Sequence, residues 1–121
     1  MKVATQTRAN LILKTADMPG TIEWYRAAGF QVVDCQPEED PTWCEVARDG
    51  TAIQFLAGET PWEGVPTLTG CVYVYPESVE RAAQQIQGKI EAEWGIEERE
   101  WGPKELVLRD PNGYFITFRE D

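Results

Sequence analysis

Hydrophobic and polar residues alternate in a pattern that predicts a strand, a helix and three more strands in the first half of the chain. The first strand is expected at about 9–15. A helix follows, because Asp17 can cap it, Pro19 fits its first turn and Gly29 can end it. The three strands after this helix are expected at about 30–34, 43–48 and 51–56.

The same order of elements recurs in the second half of the chain. A strand at about 68–75 precedes a helix that Ser78 can cap and Gly88 can end. Three further strands are expected at about 90–94, 105–109 and 114–119. The repeat is also visible in the letters, because segments 50–55 (GTAIQF) and 113–118 (GYFITF) both follow an Arg-Asp turn.

Such an internal duplication predicts the architecture. Each half is too small to bury a sheet face alone, so the two halves must share one body. We therefore predict an α+β fold in which two tandem βαβββ modules form curved mixed sheets around a shared cavity. The single domain spans 1–121, with repeats at about 1–58 and 67–121 and a linker at 59–66. The sequence leaves open whether the modules pair within one chain or swap between two chains.

The charge of the chain bears on its partners. The chain has 21 acidic and 11 basic residues, a net charge of −10, and such a surface repels a phosphate backbone, so nucleic-acid binding is not expected. Cationic ligands would be attracted, although the acidity also serves solubility alone. No apolar run approaches the roughly 20 residues of a membrane span. Because segment 1–15 also lacks the apolar stretch of a signal peptide, a cytoplasmic protein without membrane contact is expected.

Two residue types limit the chemistry. Histidine is absent, which removes Ser-His-Asp and Cys-His mechanisms and the commonest transition-metal ligand. The three cysteines are Cys35, Cys44 and Cys71, an odd number without a C-x-x-C pair, which argues against a disulfide framework or a zinc site. Cys44 and Cys71 lie in apolar, strand-like segments and are expected to be buried thiols.

Two segments resemble one known family. Segment 101–118 (WGPKELVLRDPNGYFITF) resembles the C-terminal signature of the glyoxalase/bleomycin-resistance/dioxygenase superfamily, the vicinal oxygen chelate proteins. Segment 17–30 (DMPGTIEWYRAAGF) is similar to its first helix. The resemblance covers nearly the whole chain and implies the glyoxalase/bleomycin-resistance fold. It does not fix the chemistry, because the superfamily includes metal-dependent lyases, isomerases and dioxygenases, thiol transferases and metal-free drug-sequestering proteins.

The resemblance also implies where a metal would be held. Metal-using relatives place four side chains in the cavity from the first, fourth, fifth and eighth strands, typically His or Gln, Glu, His and Glu. The matching positions here are Asn10, Gln54, Gly70 and Thr117. None is anionic or an imidazole, and a one-residue shift brings in no better ligand. Neither a metal nor another cofactor is therefore expected.

Aromatic residues are the strongest candidates for ligand contact. Trp101 matches the tryptophan before Gly that stacks on a flat ligand in drug-binding relatives, although it can equally anchor the loop at the cavity mouth. Trp43 and Trp62 are further candidates, whereas Trp24 and Trp94 are expected to pack against the protein.

Three functions remain open. The leading hypothesis is a metal-free protein, closest to the bleomycin-resistance type, that binds and sequesters an aromatic or cationic small molecule. Its predicted ligand contacts are Trp101, Trp43, Trp62, Gln54, Thr117, Asn10 and Glu105. The second hypothesis is an enzyme of the superfamily (lyase, isomerase or dioxygenase-like) with an atypical site that uses Glu45, Glu105 or Tyr73. The third is a structural module whose own side chains fill the cavity. The resemblance further implies a homodimer, because relatives of this length complete their cavities across a dimer interface.

Overall fold

A computed structural model of the chain describes residues 11–58, 71–99 and 102–120. Within them the elements follow the predicted order. The first module contains β1 (Leu11–Thr15), α1 (Met18–Ala27), β2 (Gln31–Gln36), β3 (Trp43–Arg48) and β4 (Thr51–Ala57). The second contains β5 (Cys71–Val74), α2 (Val79–Ile86), β6 (Trp94–Arg99), β7 (Gly102–Arg109) and β8 (Phe115–Arg119). The predicted linker at 59–66 lies outside the described residues.

Each module forms its own four-stranded sheet. The strand orders are β1-β4-β3-β2 and β5-β8-β7-β6. In both sheets the first pair, β1 with β4 and β5 with β8, is parallel and the other pairs are antiparallel. The predicted α+β fold of two βαβββ modules is confirmed. Among the described residues, no helix is long and apolar enough to cross a membrane.

The two helices begin at the predicted caps. The Asp17 carboxylate accepts a hydrogen bond from the backbone N–H of Gly20 at 3.0 Å, and the Ser78 hydroxyl accepts one from Arg81 at 3.2 Å. These bonds satisfy donors that the first helical turn leaves without partners. Gly29, just beyond α1, has a φ of +89°, which a residue with a side chain rarely adopts. Asp17 and Ser78 therefore cap the two helices as predicted, and Gly29 follows the end of α1 as predicted.

The sixth strand does not lie where the sequence predicted it. We expected it at about 90–94, but β6 begins at Trp94. Ile90 and Ala92 instead pack against the core, and the N–H of Ile90 bonds to the carbonyl of Ile86 at 3.0 Å. The strand is the more polar stretch that follows, paired with β7 at the edge of the sheet. Charged side chains are common on edge strands, so apolar alternation favoured the wrong segment.

One hydrophobic core extends through both modules. Equivalent residues of the repeat occupy it: Ile53 and Phe55 on β4, and Ile116 and Phe118 on β8, all with 0% exposure. The ring of Tyr25 on α1 lies 5.0 Å from that of Phe55, and α2 packs on β7 and β8. Each sheet thus turns one face to a helix, and its other face carries no helix among the described residues.

Buried polar bonds join the first module to the turn between β7 and β8. The Tyr25 hydroxyl donates to Oδ2 of Asp110 at 2.7 Å, while Oδ1 of Asp110 accepts from the backbone N–H groups of Asn112 and Tyr114. The Tyr114 hydroxyl donates to the carbonyl of Lys14 at 2.9 Å. Burial raises the pKa of Asp110 above its ordinary value, although these hydrogen bonds oppose the rise. The turn therefore fastens the modules together as well as reversing the chain.

Candidate functional site

The helix-free face of the first sheet carries polar and acidic side chains around one tryptophan. We call it the acidic face, and its members are Asp34, Gln36, Trp43, Glu45 and Gln54. Strand pairing brings them together, since Glu45 lies opposite both Asp34 and Gln54, and Trp43 lies opposite Gln36. They alternate along their strands with residues that face α1, as side chains on the two faces of a strand must.

Three side chains of the acidic face bond to one another. The indole N–H of Trp43 donates to Oε1 of Gln54 at 3.2 Å, and Nε2 of Gln54 donates to Oε1 of Glu45 at 2.9 Å. All three are half-buried. Gln54 thus uses both ends of its amide within the protein. A ligand that bonds to this amide must replace one of these contacts or add to it.

The helix-free face of the second sheet has a different character. We call it the aromatic face, and its members are Tyr73, Tyr75, Trp94, Phe115, Arg109 and Arg119. Tyr73, Tyr75 and Trp94 are 42%, 47% and 55% exposed. Single exposed apolar residues are ordinary on a protein surface, so the grouping of three exposed rings on one face is what makes it a candidate contact surface.

The first half of the aromatic face is built on Phe115. The Trp94 ring lies nearly parallel to the Phe115 ring, with centroids 6.1 Å apart and an angle of 17°. The guanidinium carbon of Arg109 lies 4.6 Å from the Phe115 centroid, and its Nη2 lies 3.4 Å from Glu93. Arg109 and Trp94 therefore present flat groups that a planar molecule could extend by stacking.

The second half of the aromatic face is built on Tyr73. The guanidinium carbon of Arg119 lies 5.2 Å from the Tyr73 centroid, and the Tyr75 ring lies 6.3 Å from that of Tyr73. Nη1 of Arg119 lies 3.9 Å from Oε2 of Glu105. Nε of Arg119 is buried and has no hydrogen-bond partner among the described residues. Because this atom is buried, it is a polar group that the fold leaves unpaired rather than a contact offered to a ligand.

The predicted site residues fall into three groups. Trp43 and Gln54 lie on the acidic face of the first sheet. Thr117 and Glu105 lie on the helix-free face of the second sheet, where Thr117 pairs with Tyr73 and is only 3% exposed. Gln54 and Thr117 occupy matched positions, each on the central strand that pairs in parallel with the first strand of its module. The remaining candidates, Asn10, Trp62 and Trp101, lie outside the described residues, as does Gly70.

Several residues differ from their predicted environment. Trp94 was expected to pack and is more than half exposed, and Cys71 was expected to be buried but is exposed on β5. Trp24 does pack against the core, as predicted. Sequence reasoning did not single out Tyr75 or Phe115. The signal was present for Tyr75, because alternation along the strand predicted at about 68–75 places it on the same face as Tyr73.

The described residues do not fit a divalent metal. They contain no group of three or more His, Cys, Asp or Glu side chains that could hold an ion. The two described positions that match metal ligands of relatives are Gln54 and Thr117, an amide and a hydroxyl. Neither supplies the negative charge that hard cations require or the imidazole that transition metals favour.

Comparison with known proteins identifies the family. The chain matches the model of the Glyoxalase/Bleomycin resistance protein/Dioxygenase superfamily over residues 8–118. Since this match spans nearly the whole chain, the protein belongs to that superfamily. No curated protein matches it.

Solved structures share the fold at low sequence identity. TioX from Micromonospora sp. ML1 is 18% identical with a TM-score of 0.75, and the match covers 95% of this chain and 96% of TioX. TnmS3, an antibiotic-binding protein from Streptomyces sp. CB03234, is 17% identical with a TM-score of 0.72 and 98% coverage of both chains. A bleomycin-binding protein complexed with bleomycin is 19% identical with a TM-score of 0.68, covering 96% of this chain and 99% of that one. At these identities the likeness shows the fold alone.

Proposed function

We propose that this protein binds and sequesters a planar aromatic or cationic small molecule without altering it, and that it does so without a metal. The observation that carries the proposal is the aromatic face, where Tyr73, Tyr75 and Trp94 remain exposed beside two arginines. A flat ligand stacked on such rings gains about 0.5–1.5 kcal/mol per ring beyond the area that it buries. Two or three such contacts supply useful affinity.

The acidic face supplies a second kind of contact. Asp34 and Glu45 lie opposite each other across β2 and β3, beside the Trp43 indole. Together with the net charge of −10, these carboxylates favour a ligand that carries a positive group. Contacts to Asn10, Trp62 and Trp101 remain part of the proposal, as do polar contacts to Thr117 and Glu105.

Proteins that share the fold support this choice of ligand class. One was solved with bleomycin bound, and another is an antibiotic-binding protein. A fold that accommodates such molecules in other proteins can do so here. The enzyme hypothesis stays the alternative, because the matching superfamily also includes glyoxalases and dioxygenases. Its candidate reacting groups are Glu45, Glu105 and Tyr73.

We further propose that the protein is a homodimer. Ile12 pairs with Gln54 on the helix-free face of the first sheet and is 43% exposed, and the aromatic face exposes three large rings. A second copy of the chain set across these faces would cover apolar surface and complete the cavity in which the ligand stacks, as the family resemblance implies. Light scattering at micromolar protein should give twice the chain mass of 13.7 kDa, and the mass of a single chain would contradict the dimer.

The binding proposal is tested by titrating tryptophan fluorescence against bleomycin and a panel of planar aromatic compounds, both cationic and neutral. We expect at least one to quench the fluorescence with a dissociation constant in the micromolar range. Absence of quenching by every compound, at protein concentrations where such binding would show, counts against the proposal.

The same samples separate binding from catalysis. After incubation the compound should be recovered with unchanged mass, and elemental analysis of protein purified without chelator should find no stoichiometric divalent metal. A chemically changed compound would favour the enzyme hypothesis, and a bound metal would overturn the metal-free part of the proposal.

A further inference from the structure

Two cysteines face each other across β2 and β3, on the side of the sheet opposite the acidic face. Cys35 pairs directly with Cys44, their Sγ atoms lie 2.8 Å apart, and both are free thiols. Directly paired residues of antiparallel strands have Cα atoms about 4.5–5.5 Å apart, within the roughly 4.4–6.8 Å that disulfides span. Because an S–S bond is about 2.05 Å long, its formation requires less than about 1 Å of movement by the sulfurs.

The two sulfurs differ in access to a reagent. Cys35 lies on β2, the edge strand of the first sheet, and is half-buried, whereas Cys44 is 0% exposed. Burial and the contact with Cys35 raise the pKa of Cys44 to about 12, so this thiol stays protonated at neutral pH. Cys35 is therefore the sulfur that an oxidant in solution meets first, and Cys44 is in place to react with it.

We propose that Cys35 and Cys44 form a reversible disulfide and are a modification site for peroxides. In the first step the Cys35 sulfur attacks an oxygen of hydrogen peroxide, the O–O bond breaks, and the hydroxide that leaves takes the Cys35 thiol proton to become water. In the second step the Cys44 sulfur attacks the sulfenic acid of Cys35. The S–S bond forms, the S–O bond breaks, and the Cys44 proton leaves with hydroxide as a second water. Two thiols are oxidised to one disulfide while peroxide is reduced to two waters.

The position of this pair gives the reaction a structural effect. The Cys35–Cys44 pair lies between two pairs of the acidic face, Asp34 with Glu45 and Gln36 with Trp43. A disulfide would fix β2 to β3 directly behind that face. It would also close the loop at 36–43, and constraining the unfolded chain in this way should raise the thermal midpoint by roughly 5–10 °C.

Peptide mapping of the whole protein tests the cross-link directly. Trypsin cuts after Arg26 and Arg48, with no Lys or Arg between them, so peptide 27–48 holds both cysteines and peptide 49–81 holds Cys71. After hydrogen peroxide and alkylation, we expect peptide 27–48 to be unalkylated and about 2 Da lighter, because two hydrogen atoms are lost. Cleavage after Glu38 or Glu39 should leave its halves joined, and dithiothreitol should restore both thiols.

Matched variants complete the test. Cys71→Ser should form the same cross-link and keep the rise in thermal midpoint. Cys35→Ser, a change on a half-buried edge strand, should lose both. Peptide 27–48 that retains two alkylatable thiols under peroxide would overturn the proposal. So would oxygen addition to Cys35 or Cys44 without the cross-link, or disulfide-linked chains as the main product.

Discussion

The core-facing residues of β4 and β8 are nearly the same in the two modules, whereas the residues on their helix-free faces differ. Ile53 corresponds to Ile116 and Phe55 to Phe118, and all are fully buried. On the opposite side, the acidic face holds half-buried side chains that bond to one another. The aromatic face holds exposed rings with arginines stacked on them.

This difference shows which side of a duplicated module is free to change. A core position must fill a fixed space, so a change of volume there is costly in both modules. A helix-free face has no such partner, so its residues can be chosen for contact with another molecule. The proposed binding function therefore lies where the two modules differ. Five predictions test this comparison, from the largest expected effect to the smallest.

The core-facing sides of β4 and β8 should lose similar amounts of stability when a side chain is shortened. Ile53→Ala and Ile116→Ala should each lower the free energy of unfolding by about 2–5 kcal/mol, because each leaves a cavity in a packed core. Val33→Ala, a change of an exposed side chain on the edge strand β2, should cost less than about 1 kcal/mol. Urea unfolding followed by circular dichroism measures all three. A loss below about 1 kcal/mol in either core variant would contradict the equivalence of the two core sides.

The buried attachment between modules should depend on a single hydroxyl. Tyr25→Phe removes the donor to Asp110 and should lower the free energy of unfolding by about 1.5–3 kcal/mol, since it leaves a buried carboxylate oxygen unpaired. Tyr73→Phe, the same change on the aromatic face, should cost less than about 0.5 kcal/mol. Equal losses of unfolding free energy in Tyr25→Phe and Tyr73→Phe would contradict this prediction, because the hydrogen bond from Tyr25 to Asp110 would then add nothing to the attachment.

The effect of Tyr25→Phe should also depend on pH. Burial raises the pKa of Asp110 in the folded protein. The protonated carboxyl therefore stabilises the fold below its ordinary pKa of about 3.9, and this stabilisation is lost as the pH rises through the raised pKa. The hydrogen bond from Tyr25 lowers the pKa of Asp110. Tyr25→Phe therefore raises this pKa further, and the variant loses more stability than the wild type as the pH rises. The gap between wild type and variant should widen from about pH 4 to pH 7, as urea unfolding at both pH values would show.

Ligand affinity should depend more on the aromatic face than on the acidic face. Tyr73→Ala and Trp94→Ala should each weaken binding by about tenfold, because a stacking ring is lost. Trp43→Phe keeps a ring and removes only the N–H that bonds to Gln54, so it should weaken binding by less than about threefold. Isothermal titration calorimetry with the compound that quenches most strongly measures this difference. The reverse order would assign the ligand to the acidic face.

The arginines of the aromatic face should matter little for stability. Arg119→Met and Arg109→Met each remove a cation–π contact worth about 0.5–1 kcal/mol at an exposed site. Arg119→Met also removes the unpartnered Nε, so its net cost should be the smaller of the two. Urea unfolding with an uncertainty below this difference tests the order. A loss above about 2 kcal/mol would mean that the arginines support the fold rather than face a ligand.

Local signals predicted most of the fold. Asp17 and Ser78 cap the two helices as expected, because an N-cap is a contact between residues three positions apart. The repeat then fixed the order of strands. β6 could not be predicted in the same way, because its position depends on pairing with β7 and on where Ile90 packs, and both are contacts over a distance in sequence.

The candidate site was predicted less completely than the fold. Gln54 and Thr117 do occupy matched positions, because the two modules are repeats whose strands pair in the same way. Trp94 was assigned to packing as a large aromatic residue, but it begins the edge strand β6 and is 55% exposed. The Cys35–Cys44 pair escaped notice since it depends on the pairing of β2 with β3, where the register shifts between Val32 and Asp34.

The most direct test of the account is a nuclear magnetic resonance titration of isotope-labelled protein with bleomycin and with proflavine, a planar aromatic cation. The five indole N–H signals can be assigned from single Trp→Phe variants. We predict that at least one compound shifts the Trp94 signal in a saturable manner, while the signal of the core-packed Trp24 stays in place. Saturable binding that leaves Trp94 unchanged, or no binding by either compound, would contradict the assignment of the ligand to the aromatic face.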